Sequence, residues 1–245
     1  MSTILRDAWR TLVPLKGDPH GPLAPMLVVL TTVTGLIDAF SYLVLGHVFV
    51  ANMTGNVVFC AFALAGAKGF SLSASLLALG SFSVGAVVAG RIDAVLGPRR
   101  GRVLSFTTGG EVLLVSVALT IAALAVHPGT GTARYVIIGV MGMGAGMQNG
   151  MARRIAVPEL TTTVLTMTLT GISFDSRLAG GGGSRIGRRL LAVLAMFAGA
   201  LVGAVIVLHV QPAWALAVAL ALLVPLTGVA ASLSRSHPAW ENRPS

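Results

Sequence analysis

Apolar stretches about as long as a bilayer is thick recur along the whole chain, and this recurrence limits its fold more than any other feature. A helix needs about 20 apolar residues to cross a hydrocarbon core about 30 Å thick. Stretches of suitable length run over 23–46, 72–96, 103–126, 134–151, 189–209 and 213–233. They are continuous rather than alternating, so they read as helices and not as barrel strands. Hydrophobic residues fill 55% of the 245 positions and charged residues 10%, where a soluble domain carries roughly 25% charged residues. That leaves too little polar surface to cover a soluble globule. Such apolar content excludes disorder, and one cysteine cannot form a disulfide scaffold. The expected fold is all-α, a polytopic helical membrane protein in contact with the lipid bilayer.

The net charge of +9 would suggest nucleic acid in a soluble protein. Here the basic residues sit between apolar stretches, as in Arg99, Arg100 and Arg102, or Arg185, Arg188 and Arg189. This is the pattern of cytoplasmic loops, and no nucleic-acid partner is expected. Arg6, Arg10 and Lys16 precede an apolar stretch too long for a signal-peptide core. Residues 4–13 suit a short amphipathic helix on the membrane surface.

Two further stretches, 49–66 and 157–174, are shorter and more polar. If all eight stretches crossed the membrane, the Arg99–Arg102 loop would fall outside, against the positive-inside bias. If the two polar stretches dip in and return, about six spans remain, and both termini and nearly every arginine cluster lie inside. The chain then divides into a cytoplasmic arm (1–22), a first membrane repeat (23–126), a second (134–233) and a cytoplasmic tail (234–245). Each re-entrant stretch follows a Gly-rich helix bearing an acid or amide and precedes a helix with a small-residue core, Gly85–Gly90 or Gly199–Ala204. Three spans per half would give the halves opposite orientations, an inverted repeat of the kind used by transporters and channels.

At these same residues the sequence resembles the YoaK family of bacterial inner-membrane proteins, which carry a domain of unknown function. The matching segments are Gly35-Leu36-Ile37-Asp38-Ala39-Phe40-Ser41-Tyr42-Leu43, Phe49-Val50-Ala51-Asn52-Met53-Thr54-Gly55-Asn56, Gly146-Met147-Gln148-Asn149, and Thr161-Thr162-Thr163-Val164-Leu165-Thr166 followed by Thr168-Leu169-Thr170-Gly171. Met167 departs from the pattern, which has glycine between the two threonines. The resemblance implies a multi-pass protein of the bacterial inner membrane and names no substrate.

The function must come from the residues themselves. Asn52, Thr54, Thr161 and Thr162 are of the types that cap helix N-termini. Each precedes an apolar stretch of about three turns. The preceding seven or eight residues, extended, reach the bilayer midplane at roughly 3.3 Å each. Two half-helix N-termini meeting there would bind an anion or polar solute. The expected solute-binding residues are Asn52, Thr54, Gly55, Asn56, Thr161, Thr162 and Thr163. The alternative is that they only satisfy backbone groups in kinked spans. Asp38, well inside the first span, is the candidate for proton or ion coupling, and capping of the 52–56 segment is the competing role. Arg91 and Glu111 flank the Arg99–Arg102 turn at similar distances, so a structural ion pair is expected. Gln148 and Asn149 are expected to be structural hydrogen-bonders. Gly142, Gly146 and Gly150, like Gly199 and Gly203, are spaced as helix-packing seams.

No cluster has metal-ligand spacing and no nucleophile stands beside a base, so neither a metal, a cofactor nor an enzyme activity is expected. The reading is a channel or secondary transporter for a small polar or anionic solute, with proton coupling as an extension. The competing reading is a non-transporting membrane subunit or sensor, and a homo-oligomer is compatible with both.

Overall fold

The computed structural model describes residues 3–15, 17–160, 162, 165–176, 179–181, 185–235 and 240. Its elements are α1 (Thr3–Leu12), α2 (Leu23–Val44), α3 (Met53–Leu64), α4 (Leu72–Leu96), α5 (Arg100–Leu124), α6 (Gly131–Ile155), α7 (Leu165–Phe174), α8 (Ile186–His209) and α9 (Pro212–Ser234). No strand occurs among the described residues. Five helices, α2, α4, α5, α8 and α9, are long and apolar enough to cross a membrane. The chain is a polytopic helical membrane protein. α6 matches α4 and α5 at 25 residues, but its glycines and terminal arginines dilute its apolar character. The helices α3 and α7 are short, at 12 and 10 residues, about half of what a full crossing requires.

Burial sorts the bundle. The apolar window of α2 is 83% buried, while those of α4, α5, α8 and α9 range from 22% to 33%. α2 is therefore the central helix, and the others turn apolar side chains such as Val87, Phe106, Leu113, Phe197 and Val224 outward. In a bilayer those outward side chains meet lipid at no cost.

Glycine sets the two closest helix pairs. α2 lies on α8, where Gly35 faces the Met196 carbonyl and Gly199 faces the Thr32 carbonyl. α4 lies on α6, where Gly146 faces the Phe82 carbonyl and Gly85 faces the Met143 carbonyl. A Cβ at any of these positions would collide with backbone that cannot swing away. The seams expected from Gly142, Gly146, Gly150, Gly199 and Gly203 are thus present, with Gly150 against Ala89 and Gly203 against Ala39. Overpacking costs typically about 1–3 kcal/mol, so Gly146→Ala and Gly199→Ala should each lower the thermal unfolding midpoint in detergent. An unchanged midpoint would show that these helices do not touch there.

Helix ends are satisfied by arginine and aspartate. Arg134 donates from Nε to the Leu45 carbonyl at 2.7 Å, just past α2. Arg100 donates to the Ile155 carbonyl at 2.7 Å, at the end of α6. Both place positive charge where helix carbonyls are open. The amphipathic α1 docks on the start of α8, where the Asp7 carboxylate accepts from the Arg188 N–H at 3.0 Å. Leu5 and Trp9 of α1 remain about 60% exposed.

Candidate functional site

The segment 45–52 between α2 and α3 is held open by two polar side chains. Asn56, fully buried, closes a reciprocal pair with the Phe49 backbone: its Oδ1 accepts from Phe49 N–H at 3.0 Å and its Nδ2 donates to the Phe49 carbonyl at 2.6 Å. Phe49 in turn stacks between Tyr42 and Phe59, with ring centroids 4.8 and 5.8 Å away. Two residues on, the Asp38 carboxylate accepts from the Ala51 N–H at 3.0 Å. Asp38, inside α2 and 4% exposed, thus holds the backbone just before the 52–56 segment and does not cap the N–H groups of α3 itself.

This bracing leads the chain directly into a cavity. A space of about 640 Å³ is lined by Asp38, Asn52, Thr54, Gly55, Phe82, Asn149, Leu165, Thr166 and Met196, among others. It is bounded by α2, α4, α6 and α8 and entered by the first turns of both α3 and α7. Asn52 occupies the position before α3, yet its side chain makes no capping hydrogen bond. The first turn of α3 therefore brings N–H groups without helical partners to the cavity wall.

The expected site residues separate accordingly. Asp38, Asn52, Thr54 and Gly55 line one cavity together with Asn149. Asn56 stands beside it with both polar ends committed to Phe49, so it positions the segment. Thr162 is buried with a left-handed φ of 63°, unusual for a β-branched residue. Thr161 and Thr163 lie outside the described residues. On the C-terminal side it is Leu165 and Thr166 that reach the cavity. Phe82 and Met196 also line it, and as lone apolar residues on long helices they gave no signal in the sequence.

The expected Arg91–Glu111 pair is not formed. Arg91 is exposed on α4, whereas Asp93, two residues on, turns inward and pairs with Arg154 of α6. Helical periodicity puts positions 91 and 93 on different faces, and equal distance from a turn fixed depth but not direction. Glu111 is 1% exposed and meets the side-chain amide of Gln148, which also reaches the hydroxyls of Thr34 and Thr162. Arg91→Gln should accordingly change stability by no more than about 0.5 kcal/mol. A loss of several kcal/mol in thermal unfolding would restore the pair.

A second polar centre, absent from the sequence reading, holds the region around α7. Arg189 of α8 donates to both oxygens of Glu159 at 2.7 and 2.9 Å, to Asp175 at 2.6 Å and to the Gly171 carbonyl at 2.6 Å. The Arg189 guanidinium holds the Glu159 carboxyl below the usual carboxylate range. Among the described residues no group of His, Cys, Asp and Glu side chains is arranged to hold a metal ion.

Comparison with known proteins now bears on this arrangement. Residues 26–229 match the family described as a protein of unknown function, DUF1275. The chain belongs to the DUF1275 family. A 154-residue stretch is 30% identical to the UPF0700 transmembrane protein YoaK of Bacillus subtilis (strain 168), covering 61% of this chain and 65% of that protein. The resemblance to the YoaK family is thereby shown, and the family match takes in both short helices and every residue of the cavity. No solved structure matches the chain.

Proposed function

We propose that this DUF1275 protein is a channel or secondary transporter that carries a small polar or anionic solute across a bacterial plasma membrane, with both termini on the cytoplasmic side. The observation that carries the reading is the single cavity shared by the first turns of α3 and α7. Short helices that enter a membrane protein from opposite leaflets leave their positive ends near the midplane, where they favour negative charge or a hydrogen-bond acceptor.

An inverted repeat is the second part of the proposal, and the wall of the cavity supports it in pairs. Asp38 and Asn149 follow matching glycines, Gly35 and Gly146, by three residues. Those glycines lie on the carbonyls of Met196 and Phe82 respectively, and both carbonyl owners line the cavity. Thr54 and Thr166 each stand one residue into a short helix. The equivalence accounts for the packing of α2 on α8 and of α6 on α4: the first long helix of each half packs on the second long helix of the other. Asp38 against Asn149 breaks the symmetry by one charge, which suits a solute that enters with a proton.

The test is uptake into liposomes holding the purified protein, screened over small anions, amino acids and sugars. Thr54→Val and Thr166→Val remove a hydroxyl while keeping most apolar volume. Each should slow uptake about tenfold, equivalent to a hydrogen bond of about 1.4 kcal/mol. Absence of uptake for every class, or variants as fast as the parent, would reject the reading in favour of a non-transporting subunit.

A further inference from the structure

The cavity does not use the most deeply buried acid of the bundle. Glu111 lies on α5, 1% exposed, and among the described residues it forms no ion pair. Among the described residues its surroundings carry no countercharge. The α9 helix has no charged residue. On α4, Arg91 points outward and Asp93 is paired with Arg154 of α6. The other arginines of α6 are Arg134, bonded to the Leu45 carbonyl, and Arg153, exposed near the helix end. On α5 itself Arg100 is bonded to Ile155, Pro19 and His20. An uncompensated carboxylate in a bundle interior is costly, yet one side chain is placed to answer it.

That side chain is Gln148, and it can answer either form of the acid. With the amide nitrogen toward α5, it donates to the two Glu111 oxygens at 2.9 and 3.2 Å, while its oxygen accepts from Thr34 Oγ1 at 2.8 Å and Thr162 Oγ1 at 3.3 Å. This set suits the ionised carboxylate, which can only accept. With the amide turned over, its nitrogen donates to Thr34 Oγ1 at 2.8 Å, and Thr34 passes its own proton to the Leu30 carbonyl at 2.9 Å. The amide oxygen then faces Glu111 and accepts from a protonated carboxyl. Each protonation state of Glu111 is therefore met by a complementary end of the amide. The Thr162 hydroxyl, in a left-handed turn at the approach to α7, donates to the amide oxygen in the first and can only accept from the amide nitrogen in the second.

We propose that Glu111 is a proton-binding site inside the bundle, and that taking up a proton turns the Gln148 amide over and reverses the direction of its hydrogen bonds to Thr34 and Thr162. The proton adds to one carboxylate oxygen, the new O–H donates to Gln148 Oε1, and no other bond is made or broken covalently. Gln148 immediately precedes Asn149, which lines the cavity, so the amide that answers Glu111 is one residue of α6 away from the cavity wall. The site stands whether or not a solute crosses the protein.

Infrared difference spectroscopy of the full chain in lipid, between alkaline and acid buffer, tests this without any flux measurement. A carboxylic C=O band should grow on acidification, shift with ¹³C-labelled glutamate, and vanish in Glu111→Gln while persisting in Asp38→Asn. The chain has two glutamines, Gln148 and Gln211, so ¹³C-labelled glutamine should reveal an amide band moving with the same midpoint and lost in Gln148→Leu. A purely structural amide would not move. Should Glu111→Gln fail to fold, Gln148→Leu, which keeps the carboxyl, must alter the proton affinity about tenfold, because a hydrogen bond to the charged form is lost. A band indifferent to Glu111→Gln, or an affinity unmoved by Gln148→Leu, overturns the proposal.

Discussion

Arg189→Gln is expected to destabilise the protein by about 2–3 kcal/mol, the consequence of removing a charged donor shared by two partly buried carboxylates. The guanidinium serves two carboxylates and one backbone carbonyl with bonds of 2.6 to 2.9 Å, and its side chain is 10% exposed. Removing it strands Glu159 before α7 and both Asp175 and the Gly171 carbonyl at its end, so the α7 region should loosen first in hydrogen exchange. The double variant Glu159→Gln with Arg189→Gln should lose less than the sum of the single losses. Acid tests the same contact. Because Glu159 titrates below its ordinary value in the folded protein, the contribution is complete above about pH 4.3, the unfolded value, and is lost as pH falls through the folded one. Glu159→Gln should therefore flatten the acid side of the stability profile, and an unchanged profile would show that the pair carries no free energy.

Asp38→Ala is expected to cost about 1–3 kcal/mol and to abolish uptake, while Asp38→Asn should keep the fold and lose only the response to a proton gradient. The difference follows from one hydrogen bond. Asparagine retains an oxygen to accept from the Ala51 N–H, whereas alanine leaves that buried donor unpaired. Ala51 immediately precedes Asn52, Met53 and Thr54, all on the cavity wall, so a slackened Ala51 misplaces the first turn of α3. If both variants transport equally and respond equally to pH, Asp38 holds the backbone and has no part in coupling.

The helices were legible because a bilayer demands unbroken apolar length, and the observed α2, α4, α5, α8 and α9 fall within a few residues of the stretches read from the sequence. Glycine spacing at Gly142, Gly146 and Gly150 was legible for a related reason: close helix approach needs small residues on one face. Within the site, Asp38, Asn52 and Thr54 stood out because polar residues are rare in such stretches, and Gly55 came with them as part of the same short motif. Asn56 shared that signal and proved to be a brace, since composition cannot tell a side chain that faces a cavity from one that faces its own backbone. The Arg91–Glu111 pairing failed on helix rotation, which a turn in the sequence does not set. Arg189 with Glu159 and Asp175 was invisible because the partners lie 30 and 14 residues away on elements whose relative placement only the fold decides.

Cross-linking in native membranes measures most directly whether the two short helices share one cavity. With Cys60→Ser removing the native thiol, Thr54→Cys and Thr166→Cys combined should be joined by a short bifunctional thiol reagent within a single chain, since both positions line the same space of about 640 Å³. Either substitution alone should give no such product. If the paired variant reacts at both thiols but never cross-links, the first turns of α3 and α7 do not meet, and the cavity at the centre of this account does not exist in the membrane.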